Sequence, residues 1–274
     1  MPLTITLRTP TTLPVEVFGV RTDLAKSLPL PEFERLPILV GRDTLPLAEL
    51  FAVAGSARED ETLVWRGALE CVKGIAAGMT SGNVVVEGSA GMHVAAEMRG
   101  GTVSVQGDAG DWAGAHLAGG RLTITGNAAR CLGGAYRGCL KGMTGGEIHV
   151  HGNTGDEVGQ LMRRGTIAIC GSAGDGTGFG MLAGTILVAG ALGRMAGAGM
   201  KRGSLITLHP DLPLLPSFRR SAIYDPTFVK LLATSLIAAG LPTFEPLRTT
   251  VFERYCGDFN EAGRGEILLP ATSL

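Results

Sequence analysis

The segment Gly101-Thr-Val-Ser-Val-Gln-Gly107 shows the pattern that decides the fold of this chain. Between its two glycines the apolar and polar side chains alternate, which is typical of a β-strand with one buried face. The first glycine of the segment recurs every nineteen residues, apart from one step that is seven residues longer, at Gly82, Gly101, Gly120, Gly146, Gly165, Gly184 and Gly203. Self-similarity at a fixed period indicates that the chain stacks equivalent coils on one another.

The alternating segments predict how these coils pack. One side of each segment carries two branched apolar residues: Val84/Val86, Val103/Val105, Leu122/Ile124, Ile148/Val150, Ile167/Ile169 and Ile186/Val188. We expect them to face the interior and to stack along parallel strands about 4.8 Å apart. The sequence therefore predicts an all-β chain, with a parallel β-helix of about seven to eight coils over residues 63–209. Residues 1–62 are predicted to form strands and loops that pack on it, and residues 210–274 a short helix and a tail.

A second column of residues follows the same period. Three residues before each of these glycines lies a long, flexible apolar side chain, in the order Met79, Met98, Leu117, Met143, Met162, Met181 and Met200. Thioethers bind soft metals, so a copper site is one interpretation, and a flexible stack that fills the edge of the core is the other. A column that runs through every coil favours packing, because a metal requires a local cluster of ligands.

The composition argues against several classes of function. The formal net charge of −1 argues against nucleic acid as the main partner, and no apolar run reaches the ~18 residues that a membrane-spanning helix requires. Residues 1–10 lack the charged and apolar regions of a secretory signal, so we expect no export. The five cysteines are odd in number and contain no C-x-x-C pair, which predicts reduced thiols in a cytoplasmic protein.

The chain carries few candidates for chemistry. His149 and His151 lie two apart on the outer side of one predicted strand, so both imidazoles could bind one metal ion, but the sequence places no third ligand beside them. The alternative, which we favour, is that both are simply exposed histidines. The other histidines are isolated, namely His93, His116 and His209. Four aspartates follow corner glycines and are predicted to be turn residues rather than acids: Asp108, Asp111, Asp156 and Asp175. With no nucleophile elbow, P-loop or zinc-protease motif in the sequence, we predict no catalytic residue, metal site or cofactor of its own.

The outward side of the predicted strands changes along the stack. It is polar in the middle, for example at Ser104, and apolar near the end, at Leu187, Ile206 and Leu208. An apolar stripe of this kind is either a surface for a partner or is covered by the chain's own tail. A helix predicted for residues 226–239 begins with proline and has an apolar face. We predict that the stripe is buried, partly under this helix and partly by partner subunits.

Positive charge gathers at one corner of the predicted coils. Five side chains share this corner on successive or near-successive coils: Arg99, Arg163, Arg164, Lys201 and Arg202. This basic corner is either solvated surface or a dock for an acidic partner or a polyanionic ligand. The seven extra residues fall within Cys131–Lys141, where they form either a loop that touches a partner or a tolerated surface insertion.

Two glycine-rich strings and the C-terminal tail resemble a known family. The strings are Gly78-Met-Thr-Ser-Gly-Asn-Val-Val-Val-Glu-Gly88 and Gly100-Gly-Thr-Val-Ser-Val-Gln-Gly-Asp-Ala-Gly110, and the tail reads Glu253-Arg-Tyr-Cys-Gly-Asp258 followed by Gly263-Arg-Gly-Glu-Ile267. They resemble the C subunit of formylmethanofuran dehydrogenase, over about residues 63–269. The repeat is also similar to the C-terminal domain of the large subunit of glutamate synthase, which is a right-handed β-helix, so the resemblance implies that handedness here.

The resemblance implies a subunit of an enzyme complex in one-carbon metabolism. The family has an archaeal branch, a molybdenum or tungsten dehydrogenase with iron–sulfur subunits, and a bacterial branch, the formyltransferase/hydrolase complex of methylotrophs. In the bacterial complex, which serves formaldehyde oxidation, formyl passes from tetrahydromethanopterin to a methanofuran-like carrier and is released as formate. The excess of arginine over lysine, 19 to 5, favours the bacterial branch. The alternatives are the C subunit of the archaeal dehydrogenase and a glutamate-synthase-type β-helix domain.

In both branches the resemblance implies that this chain is a non-catalytic scaffold. The carrier, tetrahydromethanopterin and the metals are expected on other subunits, which are a formyltransferase, an amidohydrolase-like and a dehydrogenase-like subunit. The predicted surface for a partner or the carrier consists of Arg99, Arg163, Arg164, Lys201, Arg202, Leu187, Ile206 and Leu208.

Two other classes of β-helical protein fit the sequence less well. A hexapeptide acyltransferase would show about eighteen residues per coil, and a secreted polysaccharide-binding protein would show aromatic or acidic ladders. Here the period is nineteen, and aromatic residues make up 5% of the chain.

Overall fold

The glycine period appears in space as a regular succession of strands. A computed structural model of the protein describes residues 2–271. The N-terminal part contains β1 (Leu3–Leu7), β2 (Val15–Glu16), α1 (Thr22–Ser27), α2 (Leu30–Phe33), β3 (Pro37–Val40), β4 (Asp43–Pro46), α3 (Leu47–Leu50) and β5 (Phe51–Ala54). The repeat region contains β6 (Thr62–Arg66), β7 (Val72–Lys73), β8 (Asn83–Glu87), β9 (Thr102–Val105), β10 (Arg121–Ile124), β11 (Glu147–Val150), β12 (Thr166–Ile169), β13 (Thr185–Val188) and β14 (Arg202–Thr207). The C-terminal part contains β15 (Arg219–Tyr224), α4 (Thr227–Ala238), a 3-10 helix (Pro242–Arg248), β16 (Phe252–Gly257), a 3-10 turn (Phe259–Glu261) and β17 (Arg264–Pro270).

Thirteen strands form one large sheet in the order β15-β16-β17-β14-β13-β12-β11-β10-β9-β8-β6-β1-β5. All neighbouring strands between β17 and β1 in this order are parallel. Antiparallel strands form the two edges of the sheet, β15 and β16 at one edge and β5 at the other. Val103 lies opposite Leu122, nineteen positions later, and the longer step keeps the register because Leu122 lies opposite Ile148. A smaller sheet has the order β4-β3-β2-β7. The prediction of a mostly β chain with a large parallel sheet and few helices is therefore confirmed.

Each repeat unit of the chain, from here on called a coil, meets its neighbours at a second place as well. Isolated parallel bridges join one residue per repeat, in the order Leu69, Ala90, Ala109, Ala128, Thr154, Ala173 and Leu192. The branched side chains predicted to be interior are buried, Ile167 and Ile169 among them. The sheet and the bridge column therefore share one apolar core that runs the length of the stack.

The recurring glycine leaves room for the methionine column. Gly101 has φ of +85°, a left-handed value that favours glycine. A Cβ at this position would lie 2.4 Å from Cε of Met79 and 2.5 Å from the carbonyl oxygen of Gly82. The same contact recurs between Gly120 and Met98, and all six methionines of the column are fully buried. The column therefore packs the core edge against the glycine of the next coil.

The corner aspartates bind the backbone of the following coil. Oδ1 of Asp111 accepts the N–H of Arg130 at 3.0 Å, and Oδ1 of Asp156 accepts the N–H of Asp175 at 2.9 Å. Further corner side chains bond in the same way, namely Ser89, Asp108, Asn127, Asn153, Ser172 and Asp175. The predicted corner role is confirmed, and each such bond contributes about 1 kcal/mol to coil stacking.

The flanking segments continue the sheet of the repeats. β1 pairs in parallel with β6, and β17 pairs in parallel with β14. The division of the chain at residues 62 and 209 stays a prediction. The predicted helix is present as α4, which has Pro226 before it and Ala239 after it. None of the helices in the described part of the chain is long and apolar enough to cross a membrane.

Candidate functional site

The apolar stripe on the outer face of the sheet is not a free surface. Leu187 and Ile206 are completely buried, and they pack in one cluster with Val229 and Leu236 of α4. Leu208 is half-buried at the margin of this cluster. The prediction that the helix covers part of the stripe is therefore confirmed at Leu187 and Ile206, and as candidates for a free partner or carrier surface these two residues are wrong.

Of the two strand histidines, which were predicted to be exposed, His149 is buried and only His151 agrees with the prediction. His149 is 1% exposed, and its Nε2 lies 3.5 Å from Oε2 of Glu147. Burial lowers the pKa of His149 below its ordinary value, and Glu147 acts in the opposite direction. His151 is exposed. Across residues 2–271, no group of three or more histidine, cysteine, aspartate or glutamate side chains is arranged to hold a metal ion.

The basic corner divides into two parts in the structure. Arg99 lies three coils away from Arg163, which is about 14 Å at the ordinary strand spacing, with Ala118 and Thr144 at the equivalent positions between them. Arg264 adds a fifth charge to the other four, because it lies opposite Arg202 where β14 pairs with β17. We call the group of Arg163, Arg164, Lys201, Arg202 and Arg264 the basic edge.

The side chains of the basic edge are exposed and largely without a counter-ion. Nζ of Lys201 lies 3.4 Å from Oε2 of Glu261. The four arginines of the edge form no ion pair within the residues that the structure describes. Sequence reasoning missed Arg264 because it lies outside the repeat. A signal was present, because Arg264-Gly-Glu-Ile-Leu268 has the same pattern as Arg202-Gly-Ser-Leu-Ile206.

A second surface follows a column of left-handed residues on the coils. Six residues at equivalent positions have φ between +57° and +69°, namely His93, Trp112, Cys131, Glu157, Gly176 and Met195. Only glycine adopts this conformation without cost, and other residues lose about 1 kcal/mol or more. Strain of this kind is retained where side chains make compensating contacts. In this column His93 and Trp112 stack on each other and Cys131 bonds to Glu157, which are contacts that glycine cannot supply.

The contacts on this face form an aromatic cluster. The rings of His93 and Trp112 are stacked, with centroids 5.5 Å apart and an interplanar angle of 13°. Tyr136, from the seven-residue insertion, packs its ring 4.8 Å from that of His116 and 5.5 Å from that of His93. The ring of Phe18 lies 6.0 Å from that of His93. We call these five side chains the aromatic cluster. Sequence reasoning classed both histidines as isolated, although His93 and Trp112 are nineteen residues apart and thus in register.

The titratable groups of the cluster are held in their uncharged forms. Burial lowers the pKa of His93, with a smaller contribution from Lys73, while Glu16 and Asp111 act to raise it. Burial also lowers the pKa of His116, against Glu97. Burial raises the pKa of Tyr136 to about 12. Because Nε2 of His116 accepts a backbone N–H, its proton lies on Nδ1.

The cysteine in the left-handed column is not an activated nucleophile. Sγ of Cys131 donates to Oε2 of Glu157 at 3.2 Å, and burial followed by this bond raises the pKa of the thiol to about 12. A thiol with such a pKa carries almost no thiolate at neutral pH. The role of Cys131 is therefore structural, as a donor that joins two coils.

The comparisons with known proteins agree with the fold. No family model matches the chain. The C subunit of the molybdenum-containing formylmethanofuran dehydrogenase 1 is 36% identical over 82 residues, both in Methanothermobacter marburgensis and in Methanothermobacter thermautotrophicus. This match covers 30% of the chain and spans only 20% of these curated relatives.

The structural match extends over nearly the whole chain. A chain of the formyltransferase/hydrolase complex from Methylorubrum extorquens, solved by crystallography in complex with methylofuran, is similar with a TM-score of 0.90 and 35% identity. The match covers 98% of this chain and 99% of that one. The fold thus defines a glycine-repeat protein built on a long parallel sheet. The chain belongs to the family formed by the C subunits of formylmethanofuran dehydrogenases and their relatives.

Proposed function

We propose that this chain is the non-catalytic C subunit of a formyltransferase/hydrolase complex that passes formyl to a methanofuran-like carrier and releases formate. The observation that carries the proposal is the match, over 98% of the chain, to a chain of such a complex. Its partners are then a formyltransferase, an amidohydrolase-like and a dehydrogenase-like subunit. The carrier, tetrahydromethanopterin and the metals belong to those subunits, and the complex works in the cytoplasm, in line with five free cysteines.

The architecture that we propose for the subunit is a right-handed parallel β-helix of seven to eight coils. The parallel register from β6 to β14 supports it, together with the bridge column from Leu69 to Leu192. Two pairing columns per nineteen residues are what a coil needs when it stacks on its neighbours through more than one side. A rigid rod of this kind suits a subunit that holds others at fixed positions.

A second candidate is the C subunit of a molybdenum-containing dehydrogenase. It is favoured by the curated relatives, which carry that name and share 36% of residues over the matched segment. The two candidates differ in the subunits that should accompany the chain. Iron–sulfur subunits indicate the dehydrogenase, and an amidohydrolase-like subunit without them indicates the hydrolase.

Affinity purification of the chain from its native cells tests the proposal. We expect the formyltransferase and amidohydrolase-like subunits to co-purify in fixed stoichiometry, and the intact assembly to release formate. The chain purified alone is expected to neither transfer nor hydrolyse formyl, because the thiol of Cys131 stays protonated and the corner aspartates bind backbone N–H groups. Turnover by the isolated chain, or its recovery without those subunits, would contradict the proposal.

The basic edge is the proposed contact for an acidic partner surface or for an acidic chain on the carrier. Replacing Arg163 and Arg164 with alanine should leave the fold intact, because exposed side chains usually change stability by less than ~0.5 kcal/mol. We expect weaker assembly, or a higher apparent KM for the carrier, at low ionic strength. The difference from wild type should shrink with added salt, which screens exposed charges beyond about 8 Å at physiological strength.

The matched control is the double replacement of Arg42 and Arg58 with alanine. Both are exposed arginines of the N-terminal segment, so the net charge changes equally. This control should assemble and turn over like wild type. If the Arg163/Arg164 variant behaves in the same way as the control, the basic edge is solvated surface.

A further inference from the structure

The seven-residue insertion does not disturb the pairing of the strands on either side of it. β10 and β11 pair in the same register as every other repeat although seven extra residues separate them. The base of the insertion is closed by the hydrogen bond from the N–H of Met143 to the oxygen of Gly133 at 3.0 Å. Its returning end also bonds to the following repeat, from the N–H of Gly142 to the oxygen of Leu161 at 2.9 Å. A Cβ at Gly142 would lie 2.5 Å from the carbonyl oxygen of Gln160. The insertion therefore leaves the stack and returns to it through a tightly packed neck.

Tyr136 clamps the insertion onto two earlier coils. Its N–H donates to Nε2 of His116 at 3.0 Å, and its hydroxyl lies 3.2 Å from Nδ1 of His93 in a hydrogen bond. Its carbonyl accepts the N–H of Cys139 at 3.0 Å. All three polar groups of Tyr136 are thus engaged, and its ring packs against the buried alanines Ala77, Ala96 and Ala115.

The residues of the clamp are held at backbone positions that suit glycine. His93 and His116 have φ of +64° and +55°. In a later coil the equivalent positions are Gly176 and Gly180. The chain carries imidazoles where glycine would be free of strain, and the partner of both imidazoles is Tyr136. The local purpose of the two histidines is therefore to fix the insertion.

Beyond Tyr136 the insertion has an exposed tip. Arg137, Gly138, Cys139, Leu140 and Lys141 are all exposed. Gly138, at the third position of the turn from Tyr136 to Cys139, has φ of +86° with no atom near its missing Cβ. Leu140 is 82% exposed, more than any other large apolar side chain that the structure describes. In the sequence Arg137 precedes it by three residues and Lys141 follows it directly.

We propose that the tip, residues 137–141, is a docking finger that inserts Leu140 into an apolar pocket with an acidic rim on another subunit of the complex. The charge of Arg137 and Lys141 selects the acidic rim, and the clamp at Tyr136 holds the finger in its bound shape. Anchoring residues that are ordered before binding lose less freedom on association, which strengthens it. The inference rests on the proposed function, because it requires a partner subunit.

The test compares Leu140→Ser with Leu231→Ser in the complex reconstituted from its purified subunits. Leu231 is 68% exposed on the outer side of α4 and is the matched control. Both isolated variants should melt like wild type, because neither side chain packs in the fold. We expect Leu140→Ser to weaken assembly roughly ten-fold or more, as for an interface anchor, and Leu231→Ser to leave it unchanged.

Two results would overturn the docking finger. One is assembly of Leu140→Ser with the wild-type dissociation constant. The other is self-association of the isolated wild-type chain that Leu140→Ser abolishes, because the occupant would then be a second copy. If the wild-type chain itself does not assemble with the other subunits, the proposed function is contradicted. That result differs from the first one above, in which both the wild type and Leu140→Ser assemble. A second variant, Tyr136→Phe, keeps the ring and removes only the bond to His93, so it should slow association while lowering the melting temperature of the isolated chain only slightly. An unchanged association rate would contradict the role of the clamp.

Discussion

Replacing Ile169 with aspartate is expected to prevent folding of the chain. Ile169 lies in β12 with Val150 on one side and Val188 on the other in the paired register, and it has no exposed surface. A carboxylate there loses its water and finds only apolar neighbours, at a cost of several kcal/mol. The total stability of a domain is about 5–15 kcal/mol. Because each coil supports the next, a defect in the middle of the stack affects both halves.

Urea denaturation followed by circular dichroism measures this effect. The control is Gln106→Asp, which introduces the same carboxylate at an exposed position just after β9. We expect the control to unfold at the wild-type urea concentration and Ile169→Asp to be unfolded or insoluble without urea. A folded Ile169→Asp variant with the wild-type midpoint would mean that the apolar side of the strands does not form the core.

Replacing Leu187 with aspartate is expected to release the C-terminal helix while leaving the coil stack folded. Leu187 is also fully buried, but it lies in the outer cluster, with Val229 and Leu236 of α4 and with Phe244 of the 3-10 helix that follows. Undocking of α4 allows water to reach the new carboxylate, so the cost is limited to the lost contacts of the helix. The interior position of Ile169 offers no such relief.

Hydrogen exchange measured by mass spectrometry separates these outcomes. Amides of residues 227–238 should lose their protection in Leu187→Asp, whereas those of β8–β11 should keep it. Leu231→Asp, on the exposed side of the same helix, should exchange like wild type. Equal loss of protection throughout the chain would show that α4 and the stack unfold as one unit.

The sequence was most informative where the fold repeats. The nineteen-residue glycine period predicted the strand register because each glycine answers the same two local needs: a positive φ and room for the methionine of the preceding coil. The corner aspartates were predicted as corner residues for a similar reason. The pattern placed them at corners, but their bond to the N–H of the next coil depends on stacking and was not predicted.

The sequence was less informative about the surfaces. Leu187 and Ile206 were equally compatible with a partner and with the tail, and only the packing of α4 distinguished them. His149 was predicted to be exposed, because the pattern of a single strand does not reveal what covers its outer side. Arg264 belongs to the basic edge because β17 pairs with β14, which brings it opposite Arg202, 62 residues earlier in the chain.

The sequence by itself determined the period, the direction of the strands, the interior side chains and the corners, because these depend on local conformation that every coil repeats. Only the tertiary structure decided which surfaces remain free. Tyr136 has no repeat equivalent, and its meeting with His93 and His116 depends on how the insertion folds back over two coils. Contacts between a unique segment and a repeated one follow no period. The repeat pattern in the sequence therefore cannot predict which residues meet.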